Sequence, residues 1–539
     1  MPPRREASPA RKPRARVPAK NRPKGRGTGG TRRADPVRRA ACDVLIAVAQ
    51  RDAYANLLLP SVLAQRGLTG RDAALATELT YGTLRGRGTY DAILTLCCDR
   101  PLDQIDVPVL EVLRLGCHQL LATRVQPHAA VATSVDLARD IAGARVSGFV
   151  NAILRRVAGR DLDGWIGLAA PPREADPLGY LAVCYSHPRW IVAAVAEALG
   201  EDLAGELAET GEVLAADGTR PRVTLCAVPG LAVPGELFPG EADASADPQP
   251  GGAQPAEAEA PGHPAGVSGS QERQAGGAEP ARWSPFGAYL KGGDPAAVTA
   301  VREGRAGVQD EASQLAALAL ARADIAGRDS RWLDLCAGPG GKARLLAGLA
   351  AQRGARLVAA DARPHRAKLA GDAVAVTGAA AAVASEGTAP AWRRGSFDRV
   401  IADVPCSGIG ALRRRPEARW RKSSDGTDLS ALQRRLLGSA IDSARPGGVV
   451  AYVTCSPQVS ETSQVVEDVL SGRDDVAVLD APAVLAEVPG LRCPEPGSRF
   501  AQFWPHRHGT DAIFLALLRR DGPDAASKTG PMSGSADAA

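Results

Sequence analysis

Long uncharged stretches are missing from this sequence. The longest, Pro446 to Ser460, is 15 residues and contains two prolines and two glycines, short of the ~18 residues a membrane span needs. A membrane-spanning chain is thereby excluded and no membrane partner is expected. Paired cysteines are missing as well: the ten cysteines include no C-x-x-C pair, and Cys97 and Cys98 are the one adjacent couple. Neither a disulfide scaffold nor a zinc module is expected, so each cysteine has to be judged by its neighbours. Aromatic residues are scarce at 4%, whereas hydrophobic residues reach 45% and charged residues 23%. That is an ordinary globular composition, and most of the chain should fold. At 539 residues and roughly 100 to 200 residues per domain, three or four domains are expected.

Acidic residues are nearly absent from positions 1–34, which hold 12 Lys/Arg against one Glu; the remainder carries 53 basic and 59 acidic residues, so the net charge of +5 is the sum of +11 and −6. The basicity belongs to a tail. Rich in Pro, Gly and Arg and poor in apolar residues, that tail reads as disordered, with a weak, salt-sensitive attraction to phosphate. No apolar stretch follows its basic start, so it is no secretory signal, and a cytoplasmic protein is expected.

Asp35-Pro36 is a helix-start signal. Residues 35–160 then read as an all-helical domain, with apolar faces at Tyr90, Ile93, Leu94, Cys97, at Val109, Leu113, Gly116, Leu120, and at Val150, Ile153, Leu154, Val157. Cys42, Cys97 and Cys117 are simplest as small core residues there. Residues 161–305 form a mixed middle region, with a helix at Trp190–Leu199, a strand at Val223–Cys226 and an Ala/Pro/Gly/Glu-rich insertion at 241–281 expected to be disordered. Residues 306–521 alternate strand and helix, with strands at 331–335, 356–360, 380–384, 399–402, 449–454 and 512–518 and a helix at 429–444. That pattern predicts a doubly wound α/β Rossmann-like sheet with its ligand crevice at the carboxyl ends of the strands. Residues 522–539 read as a disordered tail.

The motifs sit at those strand ends. Asp334-Leu335-Cys336-Ala337-Gly338-Pro339-Gly340-Gly341-Lys342 closes the first strand and opens a helix, where small residues admit a ligand close to the backbone. It is no Walker A loop, since Cys336 and Ala343 stand where a Gly and a Ser or Thr belong. Asp361 ends the second strand 20 residues past Gly341, the place of an acid that accepts hydrogen bonds from an adenosine ribose, whether of S-adenosyl-L-methionine or of a nicotinamide dinucleotide, or of a plain structural cap. Glu386, ending the third strand, is a candidate for adenine contact or a solvated loop acid.

Two cysteines at neighbouring strand ends define the chemistry: Cys406 in Asp403-Val404-Pro405-Cys406-Ser407-Gly408 and Cys455 in Thr454-Cys455-Ser456-Pro457. Carbon 5 of a pyrimidine is a poor nucleophile until a thiolate adds at carbon 6, after which it can displace a methyl from a sulfonium. Forming a thiolate at neutral pH costs about 2 kcal/mol unless local charge helps. An acid near ring nitrogen 3, for which Asp403 is the candidate, stabilises the developing charge. A second cysteine can assist loss of the carbon-5 proton and release of the enzyme. These considerations leave open which cysteine does which. Two further features are ambiguous: His506 and His508 lack a ligand set for metal and read as structural or RNA-facing, and the run Arg413, Arg414, Arg415, Arg419, Arg421, Lys422 is either solvated surface or a phosphate contact.

The loop 334–342, the Asp403–Gly408 and Thr454–Ser456 segments and Phe503-Trp504-Pro505-His506-Arg507-His508-Gly509-Thr510-Asp511 resemble the Sun/RsmB family of 16S ribosomal RNA (cytosine-5) methyltransferases. Phe149 to Arg156, Tyr185-Ser186-His187-Pro188 and Val308 to Ser313 extend the resemblance over about residues 35–520, the insertion excepted. It implies a NusB-like RNA-binding domain at 35–160, Cys455 as nucleophile, Cys406 as releasing cysteine, and Cys336, Ala337, Gly338, Pro339, Gly340, Gly341, Lys342, Asp361 and Asp403 as contacts of S-adenosyl-L-methionine. It also implies 16S ribosomal RNA, unassembled or partly assembled, as the partner of a metal-free monomer. Glu386 stands where the family has Asp. Competing readings are a non-catalytic RNA-binding assembly or antitermination factor and a methyltransferase for another RNA or for DNA, in which the Pro-Cys cysteine, here Cys406, would be the nucleophile.

Overall fold

The computed structural model describes residues 34–237, 278–421, 429–492 and 497–522. The expectations for the basic tail, for the insertion up to residue 277 and for the carboxyl tail from 523 lie outside those residues.

Asp35 caps the first helix, its carboxylate accepting the N–H groups of Val37 at 3.0 Å and Arg38 at 2.9 Å, which satisfies donors the helix cannot satisfy itself. Six helices follow: α1 (Pro36–Arg51), α2 (Ala55–Gln65), α3 (Gly70–Cys97), α4 (Val107–Ala122), α5 (Pro127–Ala142) and α6 (Ser147–Val157). The faces read from the 3.6-residue period turn inward. Tyr90, Ile93, Leu94, Val109, Leu113, Val150, Ile153, Leu154 and Val157 share one core with Cys42, Cys97 and Cys117.

Helix continues past this core as α7 (Leu162–Ala169), α8 (Pro177–Cys184), α9 (Arg189–Leu199) and α10 (Ala208–Asp217). A small antiparallel sheet then forms from β1 (Val223–Ala227), β2 (Ala278–Pro280), β3 (Gly287–Leu290) and β4 (Ala306–Val308), in the order β2-β3-β1-β4. Two sequence boundaries are corrected by it. The compositional insertion, read as reaching 281, stops short of β2, which pairs with β3. The division at 305/306 falls at the edge of β4, which pairs with β1 and so belongs to the small sheet.

The third unit holds β5 (Arg331–Asp334), β6 (Arg356–Asp361), β7 (Ala380–Ala384), β8 (Phe397–Asp403), β9 (Ala444–Thr454), β10 (Val476–Leu479), β11 (Ala501–Gln502) and β12 (Phe514–Arg520). Its order is β10-β12-β9-β8-β5-β6-β7, with β11 beside β12. The five strands β5 to β9 run parallel; β12 runs antiparallel to β9, and β10 pairs antiparallel with β12 and so shares the direction of the five, making the sheet mixed. The order reverses between β5 and β8, where the loops leaving the strands splay apart and open a crevice. The last long strand begins at Phe514 and not at Ala512, because the Ala512 N–H donates to the Gly410 carbonyl at 2.8 Å instead of to the ladder. β10, four half-buried residues at the sheet edge, is too short to leave a period in the sequence.

The arginine run after β8 is the main departure from expectation. Through Arg419 and Arg421 it ties the three units together, while Arg415 is exposed and Lys422 lies outside the described residues. Arg419 is fully buried, and its guanidinium donates to the carbonyls of Arg85 at 3.0 Å, Ser186 at 3.2 Å and Asp217 at 2.8 Å. Burial pulls its pKa down to about 10, with Asp217 opposing the fall. The Glu417 carboxylate accepts the Ala55 N–H at 3.3 Å, and Arg421 bonds the Ala53 carbonyl and lies 4.5 Å over the Tyr54 ring. Trp420 packs where α3 has Gly88, a position at which any Cβ would stand 2.4 Å from the ring.

Arg419→Ala would strip the donor from three carbonyls, each costing about 1–3 kcal/mol when buried and unpaired. Urea unfolding should show the loss, together with faster proteolysis between the units. Arg421→Ala, which loses one carbonyl contact and a ring face, should cost no more than about 1.5 kcal/mol.

Candidate active site

The crevice floor is built first by glycine. After β5 the chain doubles over the end of β6: the Ala337 N–H donates to the Ala360 carbonyl at 2.8 Å and the Gly338 N–H to Asp361 Oδ2 at 3.1 Å. A Cβ on Gly338 would stand 2.6 Å from that same oxygen, and Gly340 has φ +111°, a region side chains avoid. The Gly338–Pro339 peptide is cis. Asp361 thus clamps the loop with one carboxylate oxygen and accepts the Arg363 N–H at 2.9 Å with the other. Next to it lies a residue whose role went unread in the sequence, although it opens the quoted motif. Asp334, 1% exposed, has an Oδ2 atom with no hydrogen-bond partner. Burial, with Asp403 nearby, pushes its pKa up to about 8. An acceptor left this way is suited to a ligand donor.

Lys342, in the first turn of the helix Gly341–Gln352, reaches across the switch point and pairs with Asp403 Oδ2 at 2.9 Å. Burial acts to lower its pKa, but Asp403, with Cys455 and Asp334, outweighs burial and the net shift is upward, so the ammonium stays charged. Asp403 closes β8, and one residue further the backbone is still bonded to β9.

That register brings the two cysteines together. Asp403 pairs with Val453, the Val404 N–H donates to the Val453 carbonyl at 3.1 Å, and Cys406 Sγ lies 3.3 Å from Cys455 Sγ. The thiols are driven apart in acidity. The hydrogen bond from Cys406 lowers the Cys455 pKa against the effect of burial, with Lys342 assisting. That same bond, together with burial and the charges of Cys455, Glu461 and Asp403, raises Cys406 well above an ordinary thiol. Gly410 locks the Cys455 loop, its N–H donating to the Cys455 carbonyl at 2.9 Å. A Cβ there would meet the Ala512 carbonyl oxygen at 2.1 Å, so no other residue fits.

Three separated motifs converge beside this pair. Arg414 is ion-paired with Asp310 and, at 3.1 Å, with Asp511, whose own N–H donates to Asp310 at 3.2 Å. Burial lifts Asp511 to about 6, against the pull of Arg414. Arg413 donates to the Gly509 carbonyl at 2.8 Å. These arginines are therefore engaged by the protein and not held ready for phosphate. Glu386 is exposed and accepts from the N–H of Thr388 at 3.2 Å and its hydroxyl at 3.0 Å, capping its own turn. His506 meets Glu209 of α10 at 2.8 Å, and His508 bridges the Trp504 N–H and the Arg492 carbonyl, each at 2.9 Å.

With this geometry in hand, comparison with known proteins is specific. The family model for the 16S rRNA methyltransferases RsmB/F matches residues 324–519, and that for the NusB family matches residues 35–159. A Mycobacterium tuberculosis (strain H37Rv) protein named as a methyltransferase is 46% identical over 488 residues, covering 90% of this chain and 97% of its own. The ribosomal RNA small subunit methyltransferase B of Pseudomonas putida (strain KT2440) is 28% identical over 487 residues, covering 89% and 98%. The crystal structure of PH0851 superposes with a TM-score of 0.66 at 20% identity over 90% of this chain and 99% of that one, a likeness of fold. The chain belongs to the RsmB/F family of 16S rRNA methyltransferases and carries an amino-terminal domain of the NusB family.

Proposed function

We propose that this protein transfers a methyl group from S-adenosyl-L-methionine to carbon 5 of a cytosine in 16S ribosomal RNA, through a covalent bond between Cys455 and carbon 6. The observation that carries this reading is the pair of sulfurs 3.3 Å apart at the switch point, of opposite acidity and flanked by the Lys342–Asp403 pair. S-Adenosyl-L-methionine, when bound, supplies an electrophilic methyl on a sulfonium. Asp361 and the loop Cys336 to Lys342 fit its adenosine and methionine portions, and the orphaned Asp334 oxygen fits its ammonium group.

Cys455, the more acidic thiol, adds to carbon 6 and gives the ring the electron density that carbon 5 needs. The Asp403 carboxylate, kept in place by Lys342, is suited to stabilise the charge that develops at ring nitrogen 3 as the thiol adds. Once Cys455 is a thioether it no longer carries the charge that raises its neighbour, and the Cys406 thiol becomes easier to ionise. Carbon 5 takes the methyl and leaves the donor a neutral thioether. Cys406, its own proton passed to water, then takes the carbon-5 proton, and the electrons of the C–H bond expel the Cys455 thiolate. The cytosine has to leave its stack to reach this crevice, at a cost of a few kcal/mol, which favours a loop or an unfinished assembly intermediate over a closed duplex. The NusB-family domain, held to the catalytic unit by Arg419, is suited to hold the surrounding RNA.

Cys455→Ala should abolish the denaturant-stable protein–RNA adduct, while Cys406→Ala should let it accumulate; the opposite pattern on gels would reverse the roles. Iodoacetamide should modify Cys455 before Cys406 at neutral pH, as read by mass spectrometry of the alkylated peptides. In calorimetry Asp361→Ala should weaken S-adenosyl-L-methionine binding about tenfold to a hundredfold, the worth of charge-assisted hydrogen bonds to a ribose. Bisulfite sequencing of ribosomal RNA from a deletion strain should lose one methylated cytosine; loss from DNA instead would redirect the substrate reading.

A further inference from the structure

Glu461 is a buried carboxylate that the mechanism above leaves unused. It sits in the turn Val459–Glu461, just past the Cys455 loop, and is 4% exposed. Its Oε1 accepts the backbone N–H of Ser407 at 2.7 Å and the Gln433 amide at 3.3 Å, and its Oε2 accepts the Ser407 hydroxyl. Its carbonyl takes the Tyr452 hydroxyl at 2.8 Å. Gln433, on the helix Leu429–Ser443, also donates to the Pro405 carbonyl at 2.9 Å. The Ser407 and Ser456 hydroxyls lie 3.0 Å apart. Cys406 is thus bracketed: the carbonyl before it and the amide after it are both fastened through the Glu461–Gln433 pair.

Among the described residues no lysine or arginine forms an ion pair with Glu461. Burying a carboxylate on neutral donors alone is costly, and a glutamine could accept the Ser407 N–H equally well. A fold that merely needed the loop tied down has no call for the charge. The charge has a target, however, since it is among the influences that keep the neighbouring Cys406 thiol protonated before substrate arrives.

We propose that Glu461 is a positioning residue for methyl transfer: by holding the Ser407 amide it sets the Cys406 thiol against Cys455, and by its charge it reserves Cys406 for the release step. The proposal rests on the reading of Cys406 as the releasing cysteine. With the amide anchor gone, the Cys406 loop moves by a fraction of its own hydrogen-bond length or more, and misplacement by about 1 Å costs roughly a hundredfold in rate.

The test uses the full-length protein, S-adenosyl-L-methionine and protein-free 16S ribosomal RNA, with Cys406→Ala as the control that traps adduct. Glu461→Ala should bind S-adenosyl-L-methionine normally in calorimetry, form adduct, and release it about a hundredfold more slowly than the parent. Glu461→Gln keeps the amide anchor and loses the charge, so its release rate should stay within about tenfold of the parent while the pH at which release is half-maximal moves down by about one unit. Parental release by Glu461→Ala, beside an adduct-trapping Cys406→Ala, overturns the positioning role alone. An unshifted pH profile in Glu461→Gln overturns the role of the charge. Failure of Cys406→Ala to trap adduct removes the reading on which both stand, and Glu461 falls with it. Should Glu461→Ala not fold, the Glu461→Gln profile decides, since a purely structural carboxylate would leave that profile in place.

Discussion

The pairing of β8 with β9 is the constraint from which the site follows. The strands are parallel, and Asp403 lies opposite Val453, so the third residue past Asp403 and the second past Val453 leave the sheet side by side. A slip of one residue in that register would separate the sulfurs by a strand repeat of about 3.3 Å and turn side chains to the other face. The register is protected from both sides. Val450, Ala451, Tyr452 and Val453 are wholly buried, and the other flank of β9 is zipped to β12 from Val449 to Thr454. Gly410 then closes the top, bonded to the Cys455 carbonyl below and to the Ala512 N–H above.

From that point the chain does something unusual with its charge. Arg413, Arg414, Arg415, Arg419 and Arg421 follow Cys406 within 15 residues, and all but the exposed Arg415 go to internal contacts. Arg414 binds Asp310 and Asp511, and Arg419 binds carbonyls of two other units. The loop that carries one reactive thiol is therefore the same polypeptide that docks the NusB-family domain. Guanidinium suits this work, because its planar fork offers several donors at once and remains charged when buried. Ten residues separate Cys406 from Glu417, whose carboxylate accepts the Ala55 N–H of the NusB-family domain.

Much of this was legible in the sequence because it depends on local rules. Asp35-Pro36, the helical faces around Tyr90 and Val150, the strands ending at Asp361 and Ala384 and the glycine loop each announce themselves within a short window. The nearness of the two cysteines also followed from strand ends in an alternating pattern. What escaped were long-range pairings. Glu461 lies in an unremarkable polar turn whose partner, Ser407, is 54 residues away, and the Arg419 carbonyl acceptors lie 202 to 334 residues distant. A run of arginines looks the same in sequence whether water or backbone receives it. The end of the insertion was misjudged for a related reason: Ala278-Glu279-Pro280 has the composition of the insertion and becomes a strand through its pairing with Gly287–Leu290.

Electrostatics distinguishes two ligands between which the glycine loop and Asp361 could not decide. Asp334, Asp361 and Asp403 all end strands at the crevice, and Lys342 is already committed to Asp403. The strain shows at Asp334, which burial and the neighbouring carboxylate lift to about 8, so that on this surface it waits protonated or waits for a cation. A dinucleotide would bring a pyrophosphate carrying two negative charges into that field and would add to the repulsion. S-Adenosyl-L-methionine brings an ammonium and a sulfonium, and each positive charge favours the ionised form of the acid beside it. On the reading proposed for Cys455, the same cationic centre set near it would draw that thiol further toward thiolate before any RNA base has entered.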